Sequence, residues 1–266
     1  MIEKKQASDF YQHFDVNERS TVDFFVGLFN RYLFQNDPIL TPFLNPREVF
    51  IFKKIVGNCA QVLTWGGYQS AEKVRLLLCD WEESFLPEKF DIAVLEISYN
   101  KKWEKITHSQ ILGVLANSGI EVNTVGDIIS DGKGNWQFFI EKQLVKFVEQ
   151  EVTKIGHAKV KLHEISEKEI LQVNDDSEER SAVVVSLRLD TVVSSIINQS
   201  RSHVKASLKE KNIKLNWHDI KESHIMISRE DILSIRHFGR VKINEIFTTK
   251  KGKYRINYQV WQSKKR

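Results

Sequence analysis

Between Phe90 and Ile165 the hydrophobic period switches from that of a strand to that of a helix and back, twice over. This alternation limits what the chain can fold into. In Phe90–Tyr99, Ala93, Leu95, Ile97 and Tyr99 alternate with Ile92, Val94, Glu96 and Ser98, which predicts a strand. Ser109–Asn117 puts Ile111, Leu112 and Leu115 on one helical face. Thr124–Ser130 and Trp136–Ile140 read as strands joined by Asp131-Gly132-Lys133-Gly134-Asn135, a hairpin signal. Glu141–Ile155 predicts a helix with Leu144, Val145 and Val148 inward, and His157–Ile165 predicts a last strand. The order β-α-β-β-α-β predicts a split, ferredoxin-like α-β plait over residues 76–166.

The flanks differ in kind. Residues 1–75 are expected to be mainly helical, with Val22, Phe25, Val26, Phe29, Tyr32 and Leu33 at helical spacing. Asn36-Asp37-Pro38 is a stop. Asn45-Pro46-Arg47-Glu48 is a start: Asn45 caps, Pro46 fits the first turn and Glu48 reaches back to the cap's amide. Gln61–Trp65 and Val74–Asp80 read as strands around Gly66-Gly67. Residues 167–183, with Asn174-Asp175-Asp176-Ser177-Glu178-Glu179, are expected to be an acidic linker. Residues 184–266 then form a separate module, and the fold class is α+β.

The net charge of +4 hides an asymmetry. From Arg188 to Arg266 there are 18 Lys+Arg against 7 Asp+Glu, a net of +11, which leaves −7 on residues 1–187. A basic module on an acidic body is an electrostatic footprint for a polyanion. No apolar run approaches the roughly 20 residues that cross a bilayer, and the first residues lack a signal peptide's apolar core. Cys59 and Cys79 form neither a disulfide framework nor a metal pair. A cytoplasmic protein without membrane insertion is expected.

In the basic module Leu189, Val192, Val193, Ile196 and Ile197 make an amphipathic helix. Ser200 caps the next one, in which Arg201, Lys205 and Lys209 fall at i, i+4 and i+8 beside an apolar edge of Val204 and Leu208. Such a stripe suits the phosphates of an RNA backbone, each cation adding a salt-sensitive, sequence-independent increment. Lys211 and Lys214 extend it into a strand, Ile213-Lys214-Leu215-Asn216. Arg236-His237-Phe238-Gly239-Arg240 adds two arginines, and Lys250, Lys251 and Lys253 mark the tip of a hairpin between Val241–Thr248 and Tyr254–Gln262.

Signs of catalysis are sparse. There is no Walker loop, no Gly-x-Gly-x-x-Gly and no Gly-x-Ser-x-Gly. His157 and His163 have no third ligand, and His218 and His224 have no partner in the pattern. In the plait, Tyr99 and Phe138 or Phe139 are rings available for stacking bases, but they do not form the aromatic cluster of an RNA-recognition domain. No cofactor is expected, and no residue pattern fixes an oligomeric state.

Arg188-Leu189-Asp190, the two helices and the following strand resemble the S-four domain, a small module that grips structured RNA. Arg-Leu-Asp is also the catalytic motif of pseudouridine synthases, whose Asp attacks a base. Here an apolar-periodic helix follows it, so Asp190 reads as a structural or capping carboxylate. Gly66-Gly67-Tyr68-x-x-Ala71-Glu72-Lys73, His108-x-x-Ile111-Leu112-Gly113-x-Leu115, Gly119-Ile120, Gly126-Asp127-Ile128, Ser186-Leu187-Arg188-Leu189-Asp190 and Ser200-Arg201-Ser202 together resemble the YlmH family of bacterial S-four proteins.

The resemblance implies RNA binding by Arg188, Arg201, Ser202, Lys205 and Asn216. It implies rRNA and peptidyl-tRNA on the large ribosomal subunit as partners, alongside other quality-control factors. The implied role is non-catalytic support of C-terminal alanine tailing in ribosome-associated quality control. An RNA-modifying enzyme targeted by its S-four domain and a cell-division scaffold are the alternatives. The sequence departs from the family pattern at Glu121-Val122-Asn123, where basic residues are usual. It departs again at Arg236-His237-Phe238-Gly239-Arg240, which has lost a glycine and implies a stiffer, weaker-binding loop. Asn212 and Trp217 stand where turn glycines are common.

Overall fold

The computed structural model describes residues 4–172 and 177–262. The chain divides between Asn174 and Asp175 into two compact units. In the first, α1 (Arg19–Gln35) ends where Asn36 turns left-handed at φ 56°, just before Asp37-Pro38. α1 buries Val22, Phe25, Val26, Phe29 and Tyr32. β1 (Ile39–Leu44), with Pro42 inside it, falls in the region expected to be mainly helical. It is an edge strand with a register shift between Leu40 and Phe43, a place where a residue without an N–H is tolerated. α2 (Pro46–Val56) starts as expected: Asn45 accepts from the Arg47 and Glu48 amides, and Glu48 accepts from the Asn45 amide.

β2 (Gln61–Trp65) and β3 (Val74–Cys79) complete a three-stranded sheet, order β1-β3-β2. The boundary expected at residue 75 therefore runs through β3, which belongs with the N-terminal elements. Arg75 is 7 % exposed and is fully engaged. It donates to the carbonyls of Thr41, Phe90 and Asp91, and lies 3.6 Å from Glu141. This buried charge ties the small sheet to the next layer, which is why composition shows no break there.

That layer comprises β4 (Ile92–Tyr99), α3 (His108–Asn117), β5 (Val125–Ser130), β6 (Trp136–Glu141), α4 (Val145–Glu151), β7 (Lys154–Ile155) and β8 (Ala158–Ile165). The sheet order is β5-β6-β4-β8-β7, antiparallel throughout. The helix expected over 141–155 is shorter, because Glu141 ends β6 facing Arg75 and Lys154–Ile155 pair with β8. Leu95, Ile97, Phe138 and Ile140 pack in one core with Ile111, Leu115, Val145 and Val148 of the helices.

The opposite sheet face is occupied as well. Val94 and Phe139 pack with Phe43, Tyr68, Ile170 and Leu171. Gln137 donates to the Glu169 carbonyl and accepts from the Leu171 amide, strapping that segment down. Phe138 and Phe139 are each 1 % exposed, and the Tyr99 hydroxyl donates to the Gly134 carbonyl. None of these rings is presented for base stacking.

In the second unit β9 (Glu178–Val184), α5 (Leu189–Ile197), α6 (Arg201–Lys209), β10 (Ile213–Leu215), β11 (His218–Asp219), β12 (Ile232–Ile235), β13 (Gly239–Thr248) and β14 (Tyr254–Gln262) follow in order. Their strands form one six-stranded sheet, β11-β10-β12-β13-β14-β9. Val192, Val193, Ile196, Val204 and Leu208 of the helices share a core with Ile213, Leu233, Val241 and Ile256. Part of the expected linker is thus a strand. β9 is a sheet edge pairing only with β14, and only Val184 is fully buried along it. Edge strands commonly carry charge, so its composition looked like a tether. Residues 173–176 of that stretch lie outside the described residues.

Candidate nucleic-acid interface

The start of α5 carries the first group of cations. The Leu189 and Asp190 amides donate to the carbonyls of Ile225 and Ser223, and Leu187 accepts from the Ile227 amide. These bonds fix the chain on both sides of Arg188, and the Asp190 side chain is 0 % exposed. Arg201 Nη2 donates to Asp190 Oδ2 at 2.6 Å, and Arg188 Nε donates to Oδ1 at 3.3 Å. Burial alone would raise the Asp190 pKa. The hydrogen bonds from Arg201 and Arg188 outweigh it and hold the carboxyl at about 2. One buried anion therefore holds two guanidiniums, one from the residue before α5 and one from the start of α6, each still partly open to solvent. A carboxylate without exposed surface, with both oxygens engaged, is not placed to attack a base; the structural reading of Asp190 fits the geometry.

α6 carries the stripe onward. Val204 and Leu208 are buried while Arg201, Lys205 and Lys209 are exposed, as the i, i+4, i+8 spacing requires. Ser200 accepts from the His203 amide, and the Ser202 hydroxyl lies 2.8 Å from that of Ser200. Past the helix, Lys211 takes φ 57° where Asn212 was the residue expected in a glycine's place. Asn212 instead holds Arg236, through its carbonyl at 2.8 Å and its side-chain oxygen at 3.3 Å. Lys214 and Lys211 flank Asp219 at 3.3 and 3.6 Å.

β10 and β11 are joined by Asn216 and Trp217 alone, both left-handed at φ 49° and 64°. A two-residue hairpin with both central residues at positive φ has the geometry of a type I′ turn. Asn216 suits it and is fully engaged: Nδ2 donates to Asp231 and Oδ1 accepts from the Ile232 amide. It shapes the turn. Trp217 does not suit it, and its ring sits under the Arg240 guanidinium at 5.8 Å. Register places Lys214, Ser234 and Arg240 in one row across β10, β12 and β13, on the face away from the core. His237, in the departed glycine's place, also takes a left-handed φ of 64°. Lys250, Lys251 and Lys253 are exposed at the β13–β14 tip, roughly 30 Å of strand away from Arg240. The structure thus brings together Arg188 with Arg201 and Lys211 with Lys214, and leaves the tip lysines apart from Arg240.

In the first unit the loop between β2 and β3 closes onto β5 through Asp127. Its carboxylate accepts from the Glu72 and Lys73 amides at 2.7 and 3.1 Å and from the Tyr68 hydroxyl at 2.8 Å. The Tyr68 ring stacks on Phe139 at 5.0 Å. A Cβ on Gly67 would stand 2.3 Å from that ring, and one on Gly126 would stand 2.6 Å from Phe43.

A family model described as "Putative RNA-binding domain in YlmH" matches residues 86–169. A curated relative, ribosome-associated protein quality control protein P2 of Bacillus subtilis (strain 168), is 32 % identical over 256 residues, 95 % of this chain and 98 % of the relative. The chain belongs to the YlmH family. A solved structure, cell division protein ylmH from Streptococcus pneumoniae, is similar at TM-score 0.53 and 31 % identity, over 61 % of this chain and 99 % of that one.

Membership gives the spaced motifs a physical meaning. Gly66-Gly67-Tyr68-x-x-Ala71-Glu72-Lys73 and Gly126-Asp127-Ile128, nearly sixty residues apart, are the two halves of the Asp127 clasp. Nothing in the sequence pairs them; their glycines and carboxylate were visible, their mutual contact was not. No helix among the described residues is long and apolar enough to cross a membrane. No group of three or more His, Cys, Asp or Glu among them is placed to hold a metal ion.

Proposed function

We propose that this protein is a non-catalytic RNA-binding factor of ribosome-associated quality control in the cytoplasm. Its second unit acts as an S-four domain on rRNA and peptidyl-tRNA of the large subunit, and so supports C-terminal alanine tailing of stalled chains. The observation that carries this reading is the Asp190 clasp, which fixes Arg188 and Arg201 beside Lys205 and Lys209 with their outer edges open. Guanidiniums held by a buried carboxylate next to exposed lysines suit a folded phosphate backbone. Lys211, Lys214, Arg236 and Arg240 extend the surface, and the tip lysines make a separate contact. Ser202 lies at the exposed start of α6, within reach of the same backbone.

The relative's role in ribosome-associated quality control supports the assignment. Because Arg188 and Arg201 also hold the fold, the informative variant is Lys205→Ala/Lys209→Ala. In gradients of cell lysate at two salt concentrations, wild type should travel with free large subunits in a salt-sensitive way and the double variant should not. Equal co-migration of the two proteins overturns the placement of the interface. The pneumococcal relative's name favours a second reading, a division scaffold. Association that survives nuclease treatment would select it.

A further inference from the structure

The far end of the five-stranded sheet plays no part in the reading above. Tyr99 ends β4, and its bond to the Gly134 carbonyl ties the following loop to the β5–β6 hairpin. The Lys101 ammonium contacts Asn135 of that hairpin. Register sets Ser98 and Tyr99 beside Lys161 and Val160, so the start of β8 reaches the same end. Three segments therefore gather Lys101, Lys102, Lys105, Lys133, Lys159 and Lys161 there, all exposed. The acidic residues of the two loops are Glu104 and Asp131. Asp131 is occupied with the Lys133 and Asn135 amides, at 2.8 and 3.1 Å.

Trp103 stands within this cluster, 76 % exposed. Its loop is held in place: the Trp103 and Glu104 amides donate to the Asn100 carbonyl, the Lys102 amide donates to the Asn100 side chain, and Ile106 is buried. Lys102 Nζ lies 5.3 Å from the ring centroid. An indole presented on a fixed loop among lysines offers a π-face to a base and cations to its flanking phosphates. The sheet face that carries stacking rings in recognition domains is covered here, whereas this end of the sheet offers both components.

We propose that this end of the sheet binds an unpaired stretch of RNA, with Trp103 stacked on a base and the surrounding lysines on phosphates. The proposal rests on the reading of the protein as an RNA-binding factor and adds a second contact surface to it. The test is fluorescence anisotropy with the full chain and two labelled probes, a mixed-sequence single strand of about 12 nucleotides and an RNA duplex of about the same length. Trp103→Ala should weaken single-strand binding about ten-fold, Trp103→Phe should restore most of it, and duplex binding should hold. The same loss should appear in the Lys205→Ala/Lys209→Ala background. Unchanged single-strand affinity in Trp103→Ala, with loss in the lysine variant, overturns this surface while the second-unit interface stands. Absence of RNA binding by wild type overturns both. Competition by polyglutamate as strong as by unlabelled RNA overturns the RNA assignment in favour of an acidic protein.

Discussion

Asp127 in the first unit and Asp190 in the second each hold distant chain segments together, yet their protons respond in opposite directions. Asp127 is partly buried among backbone amides and a tyrosine hydroxyl. Burial pushes its pKa up, and the hydrogen bonds recover only part of that shift. Asp190 is more deeply buried but faces two guanidiniums, and its pKa falls from 3.8 to about 2. Dipoles satisfy a carboxylate's lone pairs without neutralising its charge, whereas formal cations do both. The first clasp serves geometry. The second serves geometry and also fixes cations at a surface.

The largest loss follows from cutting the Asp127 clasp. Asp127→Ala strands two amides and the Tyr68 hydroxyl, and unfolding in urea should show a loss of about 3–4 kcal/mol. Next in size is Asp190→Asn, which keeps the shape and removes the charge. At pH 7 it should cost about 2 kcal/mol, following the shift of its pKa. Because the folded-state pKa is depressed, that contribution is complete above 3.8 and is lost as pH falls towards 2. Wild type and variant should therefore converge in stability over that interval. The sign reverses for Asp127: burial raises its folded-state pKa above the ordinary carboxylate value, so the penalty on its charged form is relieved as pH falls.

Smaller effects sharpen the functional side. Lys205→Ala/Lys209→Ala should alter stability by less than about 0.5 kcal/mol, since both side chains are exposed. The slope of log K against log salt for RNA binding should flatten by about one to two. The Asn216-Trp217 turn isolates backbone strain. Trp217→Gly and Trp217→Ala both remove the contact with Arg240, but only glycine is relaxed at φ 64°. The glycine variant should melt above the alanine variant, by about 1 kcal/mol of stability.

Local signals were legible wherever the local rule met no tertiary competitor. The Asn45 capping box, the stop at Asn36, the helix expected over Ser109–Asn117 and the stripe on α6 stand where periodicity and cap chemistry put them. β1 and β9 were missed because edge strands admit proline, bulges and charge. Among the proposed interface residues, spacing alone grouped Arg201, Lys205 and Lys209. It did not distinguish exposed Lys205 and Lys209 from Arg201, which Asp190 holds, or from Asn216, whose side chain shapes a turn.

By itself, then, the sequence determined the succession of β4, α3, β5, β6, α4 and β8, the basic bias of the last third and the family motifs. Each of these depends on residues a few positions apart, or on sums over a segment. Tertiary structure alone decided that Asp190 joins two helices, that Asp127 joins two distant motifs, and that the plait's aromatic face is covered. Those outcomes depend on which remote groups arrive to meet a buried charge or an open face. Local periodicity carries no information about that.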